Sequence, residues 1–160
     1  MAAYGLQIIQ NIITLSTGGN RTEYTLLPVS LIINLIKLKL IFKKICIASD
    51  HAGYDIKEFI KNYFINKKIS IIDLGPTKNK SVDYPDYAKK VSIRLKNKKS
   101  DAGILVCGSG TGMAISANKT AGIRAAVCYS HSSTRLSRLH NDANIIAIGA
   151  RLIKKKDIIK

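Results

Sequence analysis

The amino-acid sequence predicts an α/β fold, a doubly wound three-layer sandwich around a five-stranded parallel sheet. Short, almost continuously apolar segments alternate along the chain with segments whose apolar residues recur at helical spacing. Continuous apolar runs are typical of strands covered on both faces, and strands that alternate with helices pair in parallel. Right-handed crossovers then place helices on both sides of one open sheet, in a Rossmann-like arrangement.

The predicted elements begin at residue 44. The five apolar runs predicted as strands are residues 44–49, 69–73, 102–106, 123–128 and 144–148. The four helices predicted between them are residues 55–66, 84–97, 111–119 and 132–139. The first helix has Ile56, Phe59 and Ile60 on one face, which is the stripe that packs on a sheet. A Gly75-Pro76 turn separates the second strand from the second helix.

Length and composition indicate one globular domain. The chain has 160 residues and 46% hydrophobic residues, enough for a single core. We assign residues 42–160 to this domain and residues 1–41 to an atypical N-terminal extension, disordered or loosely attached. The apolar stretch at 26–42 is interrupted by Pro28, Asn34 and Lys37, so no membrane span is predicted. No basic region of a secretory signal precedes Arg21, and we expect a cytoplasmic protein.

The chain is strongly basic, with a formal net charge of +16 and a pI near 9.9. Such charge favours nucleic-acid binding when it is clustered on one surface. Here the lysines are scattered among isoleucine and asparagine in short groups such as residues 96–99, as in proteins of AT-rich genomes. We therefore interpret them as solvated helix ends and loops and expect no nucleic-acid partner. A nucleic-acid binder stays as a minor alternative.

The three cysteines have neither paired nor metal-ligand spacing, so no disulfide framework and no metal site are predicted. Cys46 and Cys128 fall inside apolar runs and are interpreted as core residues. Cys107 differs because it ends the third run directly before a glycine-rich loop and a helix. Thiols at helix N-termini are the reactive ones in proteins.

The loop after Cys107 consists of Gly108, Ser109, Gly110, Thr111 and Gly112. Alternating glycines let the backbone turn sharply, so several N–H groups can face one point near the helix start. This pattern predicts an oxyanion cradle beside a potential base. Binding of a nucleotide phosphate is disfavoured, because the chain lacks both Gly-x-x-x-x-Gly-Lys-Ser/Thr and Gly-x-Gly-x-x-Gly with an acidic residue about 20 positions on.

Two more segments carry polar chemistry. Asp50 and His51 follow the first strand, and in open α/β sheets ligands lie beyond the carboxyl ends of the strands. His140 and Asn141 instead precede the fifth strand. They lie at the wrong end of their own strand to join Cys107, unless a neighbouring subunit supplies them.

At these residues the chain resembles the ribose-5-phosphate isomerase B family, which includes the galactose-6-phosphate isomerase subunits. The resemblance covers residues 43–153. Its motifs are Ser49-Asp-His-Ala-Gly53, Val82-Asp-Tyr-Pro85, Leu105-Val-Cys-Gly-Ser-Gly-Thr-Gly112, Ala117-Asn-Lys119, Gly122-Ile-Arg-Ala125, Leu136-Ser-Arg-Leu-His-Asn-Asp142 and Gly149-Ala-Arg151.

The resemblance implies an aldose–ketose isomerase of carbohydrate metabolism, without cofactor or metal, in the pentose phosphate pathway. It implies interconversion of D-ribose 5-phosphate and D-ribulose 5-phosphate through an enediolate. It also implies a homodimer whose active sites are shared between subunits, which would bring His140 to the site.

The resemblance implies a role for each residue in these loops. Cys107 is implied as the base that moves the C2 proton, and His140 as the proton donor that opens the sugar ring. Ser109 and the amides that follow Cys107 are implied as donors to the enediolate. Arg151 suits a phosphate because its planar guanidinium donates two parallel hydrogen bonds. The implied substrate-binding residues are Asp50, His51, Gly108, Gly110, Thr111, Gly112, Asn141 and Arg151.

One departure from the family leaves alternatives open. Family chains continue past the Gly-Ala-Arg segment into a long helix and a basic tail, whereas this sequence ends at Lys160. We therefore expect a domain without that helix and tail, and an inactive relic or accessory subunit of the same fold is one alternative. A hexose-6-phosphate isomerase acting on galactose or allose phosphate is another, although Cys107 together with His140-Asn141-Asp142 favours a pentose.

Overall fold

Strands and helices alternate along the domain. The computed structural model describes residues 42 and 44–159, and the predicted extension at residues 1–41 lies outside the described residues. The elements in chain order are β1 (Ile45–Ser49), α1 (Tyr54–Asn66), β2 (Ile71–Asp73), α2 (Tyr84–Lys96), β3 (Ala102–Cys107), α3 (Thr111–Asn118), β4 (Ala125–Val127), α4 (His131–Asn141), β5 (Ile145–Gly149) and α5 (Lys155–Ile158).

The five strands form one parallel sheet in the order β2-β1-β3-β5-β4. The chain moves outward from β1 to β2 and then crosses back to β3 on the other side of β1. The strand order therefore reverses between β1 and β3, which is where open α/β sheets bind ligands. The predicted fold class, a doubly wound α/β sheet with five parallel strands, is confirmed.

The core has one apolar cluster on each face of the sheet. Alternate residues of a strand face opposite sides, so β3 directs Leu105 and Cys107 toward α2 and α3, and Val106 toward α1. Full burial of such an aliphatic side chain contributes roughly 1.5–3 kcal/mol. Cys46 and Cys128 are buried as predicted, and burial raises the pKa of the Cys46 thiol.

The edge strands are shorter than predicted. β2 is Ile71–Asp73 where residues 69–73 were expected, and β4 is Ala125–Val127 where residues 123–128 were expected. Within residues 44–159, each of these two strands pairs with one neighbouring strand. The amides at the predicted starts of these two strands bond locally instead. Ile69 N–H donates to the Phe64 carbonyl, and Ile123 N–H donates to the Thr120 carbonyl.

Helix α4 is longer than predicted, and it takes in His140 and Asn141 at its last turn. It begins in a capping box, where the Ser130 hydroxyl accepts from Ser133 N–H and the Ser133 hydroxyl accepts from Ser130 N–H. It ends at Asp142, whose left-handed backbone turns the chain so that Ala143 N–H donates to the Ser137 carbonyl at 3.1 Å. The structure therefore places His140 and Asn141 in the helix, beyond its predicted end at residue 139, because local capping extends the helix.

Candidate active site

The end of β1 is bound tightly to the end of β3. Asp50 N–H donates to the Val106 carbonyl at 3.0 Å, which continues the ladder one residue past β1. The Asp50 carboxylate is buried and accepts from Gly53 N–H at 2.8 Å. A Cβ on Gly53 would collide with the Val106 carbonyl, so only glycine lets the start of α1 approach β3. This arrangement fixes Asp50 beside β3 and leaves the His51 side chain exposed.

Cys107 lies at the neighbouring strand end with its sulfur against the glycine-rich loop. Its Sγ accepts a hydrogen bond from Gly110 N–H at 3.1 Å, and the residue is only 5% exposed. Gly110 has φ +81°, and a Cβ there would lie 3.1 Å from the Ala147 carbonyl oxygen. The turn that aims this amide therefore requires glycine. An N–H donor at this distance supports negative charge on sulfur.

Two other residues of the loop face solvent. Ser109 and Thr111 are exposed, and the Ser109 hydroxyl accepts from Thr111 N–H at 3.3 Å. Thr111 is the first residue of α3, so the loop leads into the N-terminus of a helix, where backbone N–H groups without an intrahelical partner can bind an anion. The loop thus has the hydrogen-bond donors that a developing oxyanion needs.

Arg151 lies over the same loop because β5 pairs with β3. Ala150 N–H donates to the Cys107 carbonyl at 2.8 Å, and Arg151 N–H donates to the Gly108 carbonyl at 3.1 Å. A Cβ on Gly108 would lie 3.3 Å from the Arg151 Nη1. Arg151 is exposed, so an accessible guanidinium lies beside the loop.

Tyr84 is a site residue to which sequence analysis gave no role. It is the first residue of α2 and is 42% exposed. A Cβ on Gly112 would lie 3.1 Å from the ring atoms Cε2 and Cζ, so the ring covers the start of α3. An exposed aromatic residue directly before Pro85 was the available signal, but its contact with Gly112 depends on how α2 and α3 pack.

His140 and Asn141 lie at the opposite edge of the sheet. They are exposed and precede β5, whose first residue pairs with Gly103 near the start of β3, while Cys107 pairs with Gly149 at the other end. The rise along these strands separates the two edges by about 13 Å or more. One chain therefore brings together Asp50, His51, the glycine-rich loop, Cys107 and Arg151, but not His140 and Asn141.

No three histidine, cysteine or acidic side chains of the described residues cluster in a way that could hold a metal ion. In the same part of the chain, no helix has the length and apolar character needed to cross a bilayer.

Comparison with known proteins gives consistent matches. The model of the Ribose/Galactose Isomerase family matches residues 45–160. The chain is 42% identical to ribose-5-phosphate isomerase B of Escherichia coli over 111 residues, which is 69% of this chain and 74% of that protein.

Two solved structures agree. The ribose 5-phosphate isomerase of Thermotoga maritima is 49% identical, with a TM-score of 0.71 over 72% of this chain and 80% of that one. Ribose-5-phosphate isomerase B of Mycoplasma genitalium, solved with bound ribulose-5-phosphate, is 37% identical, with a TM-score of 0.69 over 72% and 78% of the two chains.

Proposed function

Since this chain belongs to the ribose/galactose isomerase family, we propose that it interconverts D-ribose 5-phosphate and D-ribulose 5-phosphate. The observation that carries the proposal is the Cys107 sulfur held by Gly110 N–H at the point where strand order reverses. A base beside backbone donors is what removal of a proton next to a carbonyl requires.

The reaction moves one proton between neighbouring carbons of the open-chain sugar. The Cys107 thiolate removes the proton from C2, and the electron pair of that bond forms the enediolate. The thiol then returns the proton to C1, and the proton of the C2 hydroxyl passes to the C1 oxygen as the C2 carbonyl forms. The overall oxidation state of the substrate is unchanged, so the step needs proton transfer and no oxidant or reductant. The loop amides and the Ser109 hydroxyl stabilise the enediolate, at about 3 kcal/mol per well-placed donor.

Asp50 and His51 on one side and Arg151 on the other border the thiol and bind the rest of the substrate. We assign the sugar hydroxyls to Asp50 and His51, since they lie one strand away from Cys107. The phosphate is assigned to Arg151 and the amides at the start of α3. Tyr84 forms one wall of the same region because its ring covers Gly112.

Ring opening needs a proton donor that a single chain does not bring to Cys107. We propose that His140 and Asn141 of a second copy complete the site, so that the protein acts as a homodimer in the cytoplasm. Both residues are exposed on the last turn of α4 and are thus available to a partner.

The test is turnover of ribose 5-phosphate by the purified chain, followed by formation of the ketose. Cys107→Ala removes the base, and we expect kcat to fall by about 100- to 10,000-fold. Cys128→Ala is the matched control, because it removes another buried thiol, whose sulfur bonds to the Ala126 carbonyl of β4.

Turnover by Cys107→Ala within about tenfold of the unaltered protein would contradict the assigned base. A folded, unaltered chain without turnover of ribose 5-phosphate would overturn the proposed function. Preferential turnover of galactose or allose 6-phosphate would replace it with the hexose alternative.

A further inference from the structure

Lys57 in the first turn of α1 is a fully buried lysine that the proposed reaction does not use. Its side chain is 0% exposed, and its Nζ lies 2.7 Å from the Asp73 carboxylate and 2.7 Å from the Glu58 carboxylate. The same Nζ donates to the Pro76 carbonyl at 2.9 Å. Its ammonium also lies 5.1 Å from the centre of the Tyr54 ring.

The ion pairs alone do not explain why a lysine is buried here. Desolvation of a buried cation costs several kcal/mol, and an apolar side chain of similar volume often gives equal or greater stability. An apolar side chain would leave both carboxylates paired with Lys61, but it would leave the Pro76 carbonyl without the bond from Lys57. That carbonyl belongs to the segment at residues 74–77 that leaves β2, which we call the β2 exit loop.

Lys57 and its neighbours fix the β2 exit loop at several points. The Asp73 carboxylate that binds Lys57 also accepts from Gly75 N–H at 2.9 Å through its other oxygen. The Tyr54 hydroxyl donates to the Thr77 carbonyl at 3.2 Å. The exit loop is thus held against the first turn of α1 by a buried cation, a carboxylate and a phenol.

The other side of the β2 exit loop supports the candidate active site. The Gly75 carbonyl accepts from Ser49 N–H at 3.0 Å, and Leu74 N–H donates to the Ile47 carbonyl at 2.8 Å. Ser49 is fully buried and directly precedes Asp50. The exit loop is therefore bonded to the last residue of β1, directly before the Asp50-His51 segment.

We propose that Lys57 is a positioning residue for Asp50 and His51, acting through Pro76, Gly75 and Ser49. The inference rests on the proposed function, since Asp50 and His51 are the contacts to the sugar. Lys57 touches no substrate. Its ammonium holds the β2 exit loop in place, and the loop in turn holds Ser49 at the end of β1. This fixes the position from which Asp50 and His51 contact the sugar.

Lys61 provides a matched control on the same helix. Its Nζ pairs with the same two carboxylates, at 2.6 Å from Glu58 and 3.0 Å from Asp73. Its side chain is 24% exposed. Its Nζ bonds to Glu58 of α1 and Asp73 of β2, whereas the Nζ of Lys57 also bonds to the Pro76 carbonyl. Lys61→Met and Lys57→Met thus remove the same charge from the same cluster, but only Lys57→Met removes the bond to the exit loop.

The experiment compares steady-state kinetics of the two variants with ribose 5-phosphate. For Lys57→Met we expect KM to rise about tenfold or more while kcat changes less than about threefold, because binding contacts are displaced and the base is not. For Lys61→Met we expect KM within about twofold of the unaltered protein. An unchanged KM in folded Lys57→Met, or an equal rise in both variants, overturns the proposal.

Asp73→Asn provides a second test that can be used if Lys57→Met does not fold. It keeps an oxygen for Gly75 N–H but replaces the oxygen that holds Lys57, so we expect KM to rise about threefold or more. An unchanged KM in folded Asp73→Asn also overturns the proposal.

Backbone amide NMR shifts separate this inference from the proposed function. Even without turnover by the unaltered chain, we expect Lys57→Met to shift the amides of Ser49, Asp50 and His51, and Lys61→Met to leave them in place. Shifts in Lys57→Met confined to α1 and Asp73 overturn the positioning role.

Discussion

Cys107 differs from the other two thiols in the direction of its hydrogen bond. Cys46 Sγ donates to the Ala102 carbonyl at 3.7 Å, and Cys128 Sγ donates to the Ala126 carbonyl at 3.5 Å. Cys107 Sγ instead accepts from Gly110 N–H. A sulfur that accepts a hydrogen bond directs a lone pair toward the loop amide, whereas a thiol that donates to a carbonyl directs its proton toward the strand backbone. The local backbone therefore sets this cysteine apart.

Gly110 allows the strongest test of the loop at the scale of one residue. Gly110→Ala forces an L-residue to φ +81° and places a Cβ 3.1 Å from backbone atoms of residues 147–149. We expect a loss of about 2 kcal/mol or more in the free energy of unfolding and a large fall in kcat, because the loop must move away from the sulfur. Urea unfolding and steady-state kinetics measure the two effects.

Gly122→Ala separates backbone strain from crowding. Gly122 has φ +83°, but a Cβ there meets nothing within 4 Å. We expect a loss of about 1 kcal/mol in the free energy of unfolding, with kcat unchanged. Equal losses of stability in the two variants, or full activity in Gly110→Ala, would contradict the role given to Gly110.

At the scale of elements, four charges join α1 to β2. Burial favours the neutral form of Asp73, but hydrogen bonds from Lys57, Gly75 and Lys61 outweigh it and lower the pKa of Asp73. Burial also favours the neutral form of Glu58, but hydrogen bonds from Lys57 and Lys61 outweigh it and lower the pKa of Glu58. Burial opposes the charge of Lys61, but its bonds to Glu58 and Asp73 raise the pKa of Lys61.

These shifts predict an acid-sensitive junction. A carboxyl whose pKa is lower in the folded state stabilises the fold above its unfolded pKa, and that contribution is lost as pH falls through the folded pKa. We therefore expect the free energy of unfolding to fall as pH drops below about 4. Glu58→Gln should flatten this dependence. Thermal unfolding across a pH series measures it.

Asp86→Asn is the matched control for acid sensitivity, because Asp86 is an exposed acid in the first turn of α2. We expect its pH dependence to match that of the unaltered protein. A Glu58→Gln curve parallel to the unaltered one would contradict the role of Glu58. The raised pKa of Lys61 acts in the opposite sense, so its contribution persists until the pH rises through that pKa.

The element boundaries show where local sequence is sufficient. The start and end of α2 were predicted to within one residue, because its apolar periodicity and Pro85 near the first turn are local signals. The edge strands were predicted too long, since an apolar residue such as Ile123 joins a strand only where a neighbour offers its backbone. Strand ends thus depend on pairing, whereas helix ends depend on nearby caps.

At the scale of the whole molecule, the separation of Cys107 from His140 within one chain is the basis of the proposed homodimer. Cys107 ends β3, whereas His140 lies on the last turn of α4, which precedes the start of β5 at the opposite edge of the sheet. A site shared between subunits predicts that two inactive variants complement each other.

Mixing Cys107→Ala with His140→Ala tests this complementation. Each variant alone is expected to be inactive, but chains refolded together form mixed dimers with one intact site. Random pairing makes half of the dimers mixed, so activity should return to about a quarter of that of the unaltered protein. Mixtures that stay as inactive as the separate variants would show that the two residues do not act in one site.

The sequence by itself determined the alternation of strands and helices, the parallel sheet and the glycine-rich turn after Cys107. These features follow from hydrophobic period and from backbone freedom at glycine, which act over a few residues. Only the tertiary structure decided that β5 lies beside β3, which brings Arg151 to the loop, and that α2 lays Tyr84 on Gly112. It also decided the contact between Lys57 and Pro76 and the separation of His140 from Cys107. Such contacts join residues far apart in the chain, and strand order and helix packing, rather than local spacing, bring them together.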